Sequence, residues 1–156
     1  MASDYKKLLK GVYLFSNLTE PELQKIATIC KPESFPRGKL IFAEGNPGDK
    51  LYFIIRGSIR VSKKIRAGNE QVLATLQAGE FFGEMALIDE VGRSADAWAE
   101  EASELISISK NDFATLIFRE KEIATSLLWN IIRTLSSRLR QTDEKLKSMV
   151  EFKAGI

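Results

Sequence analysis

Between Phe82 and Ala95 the chain reads Phe82-Gly83-Glu84-Met85-Ala86-Leu87-Ile88-Asp89-Glu90-Val91-Gly92-Arg93-Ser94-Ala95, residue types and an order that suit an anion. A glycine lets backbone amides come close to a ligand, and the apolar run after it can form about one or two helical turns. The start of such a turn carries unpaired N–H groups and a partial positive charge. Arg93 adds a planar fork of donors matched to phosphate oxygens, and Ser94 a hydroxyl beside it. Glu84 has the wrong sign for phosphate, but a carboxylate accepts hydrogen bonds from sugar hydroxyls. Amides, guanidinium, hydroxyl and carboxylate together describe a site for a phosphorylated sugar. The plainer alternative for Arg93 is a salt bridge, with Glu84 as its obvious partner.

The elements that must position this segment fall into three zones. Residues 1 to about 30 read as short helices: Thr19-Glu20-Pro21-Glu22 has the spacing of a capping box, Leu18 and Leu23 that of a hydrophobic staple, and Leu23, Ile26, Ala27 and Cys30 recur at helical spacing. From about 33 to 109, short β-rich runs are punctuated by glycine. The expected strands are Lys39–Ala43, Leu51–Arg56, Ser58–Lys63, Gln71–Leu76, Ala95–Ala99 and Leu105–Ser109. Several short strands at this spacing predict an antiparallel barrel or jelly roll. The fold class is therefore α+β, an antiparallel jelly-roll barrel with short N-terminal helices and a long C-terminal helix.

The last zone is that helix, capped by Ser109 and Asp112. From Leu128 onward a heptad emerges, with Ile132, Leu139 and Leu146 on one seam position and Leu128, Leu135, Thr142 and Met149 on the other. The stripe either packs on its own barrel or forms the seam of a homodimer through residues 128–149. The dimer is the expectation, because the stripe continues well beyond the barrel residues. Thr142 is a polar residue in an apolar seam, which fixes register or meets something polar. The expected organisation is residues 1–118 as lead-in and barrel, and 119–150 as the long helix of the same domain.

Composition excludes several classes. With 23 Lys and Arg against 21 Asp and Glu, the net charge of +2 is too small to argue for nucleic acid. There is no histidine, which removes imidazole catalysis and the usual His-rich metal centres, including a metal-dependent enzyme built on a similar barrel. The expectation is no enzyme, no catalytic residue, no metal and no cofactor. The single cysteine, Cys30, reads as a small core residue and fits a reducing cytoplasm. No apolar stretch is long enough to span a bilayer.

The segments Phe82-Gly83-Glu84-Met85-Ala86-Leu87 and Arg93-Ser94-Ala95 resemble the phosphate-binding cassette of the cyclic nucleotide-binding domain family, which includes catabolite-activator-like sensor domains. Phe42-Ala43-Glu44-Gly45-Asn46-Pro47-Gly48-Asp49 and Leu51 to Val61 look like the family's glycine-punctuated early strands, and the resemblance extends through the terminal helix. It implies that Arg93 pairs with a cyclic phosphate, helped by Ser94 and by amides of the turn through Ala86, with Ala95 closing the motif. It implies that Glu84 binds the ribose 2′-hydroxyl and that Gly83 allows close approach. Phe82, Met85, Val61 and Leu73 match positions lining the ribose and base pocket, and Thr142 and Asp143 match the polar residues that the family's dimerising helix lays over the base, sometimes from the partner subunit.

Two residues depart from the pattern. Gly92 stands where proline is common, which should loosen the loop. Asp96 stands where a small uncharged residue is frequent and must point away from the phosphate. The implied function is a cyclic nucleotide sensor, cyclic AMP favoured over cyclic GMP, signalling by movement of the terminal helix; a ligand-free dimerisation or interaction module on the same fold is the competing reading. No recognition helix fits after Met149, so the expected partners are the nucleotide, a second copy and a separate effector protein, without nucleic acid or membrane.

Overall fold

The computed structural model describes residues 2–155. Helix α1 (Ala2–Leu9), a 3₁₀ turn (Tyr13–Phe15) and α2 (Glu20–Ala27) lead into β1 (Lys31–Phe35), β2 (Leu40–Phe42), β3 (Lys50–Arg56), β4 (Ser58–Lys64), β5 (Glu70–Gln77) and β6 (Phe81–Phe82). Then come α3 (Met85–Ile88), β7 (Asp96–Ala99), β8 (Ser103–Ser109), α4 (Lys110–Arg119) and α5 (Lys121–Ala154). The strands form two four-stranded antiparallel sheets, ordered β1-β8-β3-β6 and β2-β7-β4-β5, the jelly-roll arrangement expected.

Strand β3 is buried on both faces, which accounts for its unbroken run of large apolar residues. Alternate side chains point to opposite faces of a strand. Leu51 and Phe53 pack under the helices with Phe15, Ile26, Phe113 and Leu127, while Tyr52 and Ile54 pack between the sheets with Ile59, Leu76 and Phe82. Asn130 ties α5 to the lead-in by donating to the Leu14 carbonyl at 2.9 Å. Cys30 is buried in the helical core, and burial pushes its thiol up to about 12, so it is a packing residue.

Two strands were not legible in the sequence. Pro32 interrupts the pattern of β1, but β1 lies at a sheet edge, where a residue without an N–H is tolerated. β6 is two residues long, too short to show a period. The C-terminal zone is also divided, because Glu120 leaves the helical region at φ −111, ψ 79 and separates α4 from α5. The described boundary thus falls at Glu120.

Ser109 caps α4 as its sequence indicates: its hydroxyl accepts from the Asp112 N–H at 3.1 Å and donates to the Asp112 carboxylate at 2.7 Å. Ser109→Ala is expected to cost about 1 kcal/mol of stability in urea unfolding. On α5, buried residues end at Ile131. Beyond it Ile132, Leu139, Leu146 and Met149 are exposed. No helix among the described residues is long and apolar enough to cross a membrane.

Candidate functional site

A cavity of about 390 Å³ opens between the inner face of the β2-β7-β4-β5 sheet, α3 and the middle of α5. It is lined by Phe82, Gly83, Glu84, Met85, Ala86, Arg93, Ser94, Ala95, Val61, Leu73 and Thr142, so eleven of the twelve residues singled out from the sequence lie together. Asp143 does not line it and is exposed, because the next residue on a helix is turned about 100° from Thr142.

Arg93 is fixed at both ends. Its N–H donates to the Asn46 carbonyl at 2.8 Å, its own carbonyl accepts from the Gly45 N–H at 2.8 Å, and Asn46 closes the same loop by accepting from the Ala43 N–H at 3.0 Å. The residue is 3% exposed. Its guanidinium donates to the Gly83 carbonyl at 3.0 Å and the Lys50 carbonyl at 2.8 Å, and lies 4.1 Å from the centre of the Phe42 ring. Nε is buried and has no partner among the described residues. The nearest carboxylate is the exposed Asp49, at 3.5 Å. Burial pulls the Arg93 pKa down from its ordinary value; the neighbouring Tyr52, Asp49 and Glu84 act in the opposite direction. A buried cation held mainly by neutral carbonyls favours an incoming anion.

Gly83 makes that geometry possible. It adopts φ +86, and a Cβ there would stand 2.6 Å from the Arg93 Nη1. Gly92, expected to loosen the loop, instead packs closely: a Cβ would meet the Gly45 carbonyl oxygen at 2.9 Å. Asp96 points away from the cavity as its charge requires, accepting from the Glu44 N–H at 2.7 Å. The Ser94 hydroxyl lies 3.7 Å from the Met85 sulfur.

Glu84 does not pair with Arg93. It is 4% exposed and accepts from Arg138 of α5 at 3.0 Å, while the same guanidinium donates to the Phe81 carbonyl and lies 5.2 Å from the Phe81 ring centre. Arg138, Gln141 and Lys145 also line the cavity, and sequence reasoning passed over all three. The available signal was helical spacing: 138, 141, 142 and 145 share one face with Leu135, one turn apart. The stripe reading took only Leu135 and Thr142 from that face. Leu135 is half-buried and packs against the core, and with Leu139 it lines the cavity, so part of the heptad faces the chain's own barrel.

The family model described as cyclic nucleotide-binding domain matches residues 32–120. The chain is 37% identical over 138 residues to the cyclic AMP receptor protein of Thermus thermophilus, covering 88% of this chain and 62% of that one. It is 35% identical over 115 residues to mouse cGMP-dependent protein kinase 2, covering 73% of this chain and 14% of the kinase. Among solved structures it superposes with TM-score 0.74 and 26% identity on the regulatory domain of Toxoplasma gondii PKA with cAMP, covering 87% of this chain and 50% of that one. The chain therefore spans less than two thirds of each of these relatives. The matched span holds the whole cassette, from the loop that grips the Arg93 backbone to Ala95, and the chain belongs to the cyclic nucleotide-binding domain family, of the catabolite-activator-like kind.

Proposed function

We propose that the chain is a cyclic nucleotide sensor that takes cyclic AMP in this cavity and reports occupancy through α5. The observation that carries the reading is Arg93: a buried guanidinium at the cavity wall that has, among the described residues, an unpartnered Nε and no carboxylate nearer than the exposed Asp49 at 3.5 Å. A cyclic phosphodiester supplies the missing charge without needing space for a second one. Ser94 and the first amides of α3 lie on the same wall and add donors. Glu84 then faces the ribose. Arg138 occupies one of its oxygens, and the other has no partner among the described residues, which suits a 2′-hydroxyl donor. The base occupies the outer end, between β4, β5 and Thr142 of α5.

The proposed signalling follows from where these groups are anchored. Arg93 and Glu84 belong to the barrel, whereas Arg138 and Thr142 belong to α5. A ligand held by both binds one helix position better than another, and that difference in affinity is what shifts the helix population. The exposed apolar residues Ile132, Leu139, Leu146 and Met149 support a dimer seam through residues 128–149. A separate effector protein is the proposed downstream partner.

Titration of the chain with cyclic AMP and cyclic GMP by calorimetry tests this directly. Saturable binding is expected, cyclic AMP the tighter. A thermal scan at ligand about 100 times its dissociation constant should add about 2.7 kcal/mol of stability. Neither heat nor a shift in melting with either nucleotide would leave the ligand-free module as the correct reading.

A further inference from the structure

On the sensor reading, Arg93 and Glu84 fix the phosphate and the sugar, which leaves the outer end of the cavity for the base. The sheet walls there are apolar, from Val61, Leu73 and Leu76, so polar recognition must come from α5. The Thr142 hydroxyl donates to the Arg138 carbonyl at 3.0 Å within its own helix. Its hydrogen is therefore spent, and toward the cavity it acts as an acceptor.

Lys145 stands one turn further along and also lines the cavity. Its ammonium donates to the Leu73 carbonyl at 2.5 Å. Leu73 is the extra residue of a β-bulge: Val61 pairs with Ala74 and Ser62 with Val72, so nothing in β4 stands opposite it. Such a bulge re-aims the strand locally, here toward α5. An ammonium has three donors and no acceptor, and among the described residues Lys145 has no other partner. Two N–H groups remain, on a side chain one helical turn from Thr142 that lines the same cavity.

We propose that Lys145 is a specificity-determining residue that donates to N7 of the purine. The adenine edge offers an N6–H donor beside the N7 acceptor, the complement of an acceptor at Thr142 and a donor at Lys145. Guanine keeps N7 for the lysine but sets O6, an acceptor, against the threonine oxygen. Pyrimidines have no N7. The cavity therefore selects purines through Lys145 and adenine through the pair.

The test is a double comparison by calorimetry: cyclic AMP and 7-deaza-cyclic AMP, each on the wild type and on Lys145→Met, a substitution at an exposed position. Losing one charge-assisted hydrogen bond should weaken binding about tenfold. The expected result is that 7-deaza substitution weakens wild-type binding by that factor, Lys145→Met weakens cyclic AMP equally, and the variant no longer distinguishes the two ligands. Equal weakening of both ligands by Lys145→Met would make the lysine only a clamp between α5 and β5 and overturn the proposal. A wild type indifferent to 7-deaza substitution would overturn it as well. Absence of cyclic AMP binding by the wild type would reject the sensor reading itself, a different result from either.

Discussion

Arg93→Ala is expected to weaken cyclic AMP binding by about 2–5 kcal/mol, from roughly thirtyfold to several thousandfold in dissociation constant. The variant removes the buried cation while leaving Glu84, Arg138 and the apolar walls in place. Calorimetry on the variant reads the effect, and an affinity equal to the wild type would exclude Arg93 from phosphate recognition. Arg93→Lys separates charge from shape. A lysine keeps the positive charge but, as a single ammonium, cannot reproduce the guanidinium fork that reaches the Gly83 and Lys50 carbonyls together with a ligand. Its affinity should fall between the other two. The melting temperature of each variant without ligand shows whether the fold survives the change.

Gly83→Ala is the second large effect, and it acts on stability and binding together. A side chain at φ +86 costs about 1–2 kcal/mol by itself. The added methyl would also stand 2.6 Å from the Arg93 Nη1 and 3.1 Å from the Lys50 carbonyl oxygen, so the guanidinium must move off its hydrogen bonds. Gly38→Ala is the matched control: its φ is +80, yet an added Cβ meets nothing within 4 Å. Denaturant unfolding should show Gly38→Ala losing only the conformational cost with ligand affinity intact, and Gly83→Ala losing more, with weaker cyclic AMP binding. Equal losses in the two variants would show that the methyl does not disturb Arg93.

The cassette was readable from the chain because its chemistry is local. Gly83, Glu84, Arg93 and Ser94 lie within a dozen positions, and each residue type has few reasons to stand there. The strands were readable where they are long and bounded by turns, as β3, β4 and β5 are. What escaped depends on contacts distant in sequence. Glu84 and Arg138 are 54 residues apart, and Lys145 and the Leu73 carbonyl 72. A cation on a helix otherwise patterned for a seam looks like ordinary solvated charge. Asp143 shows the reverse relation, since adjacency to Thr142 in sequence places it on a different side of the helix, outside this chain's own cavity. The break at Glu120 left no Gly or Pro to mark it.

Contacts of α5 with the barrel run from Ile131 through Leu135 and Arg138 to Lys145, so that only the turns beyond Lys145 overhang. At the helical rise of about 1.5 Å per residue, Ala154 stands about 14 Å beyond Lys145. On the proposed sensor reading, a tilt of α5 imposed at the nucleotide would displace this overhang, the part of the helix open to a docked protein.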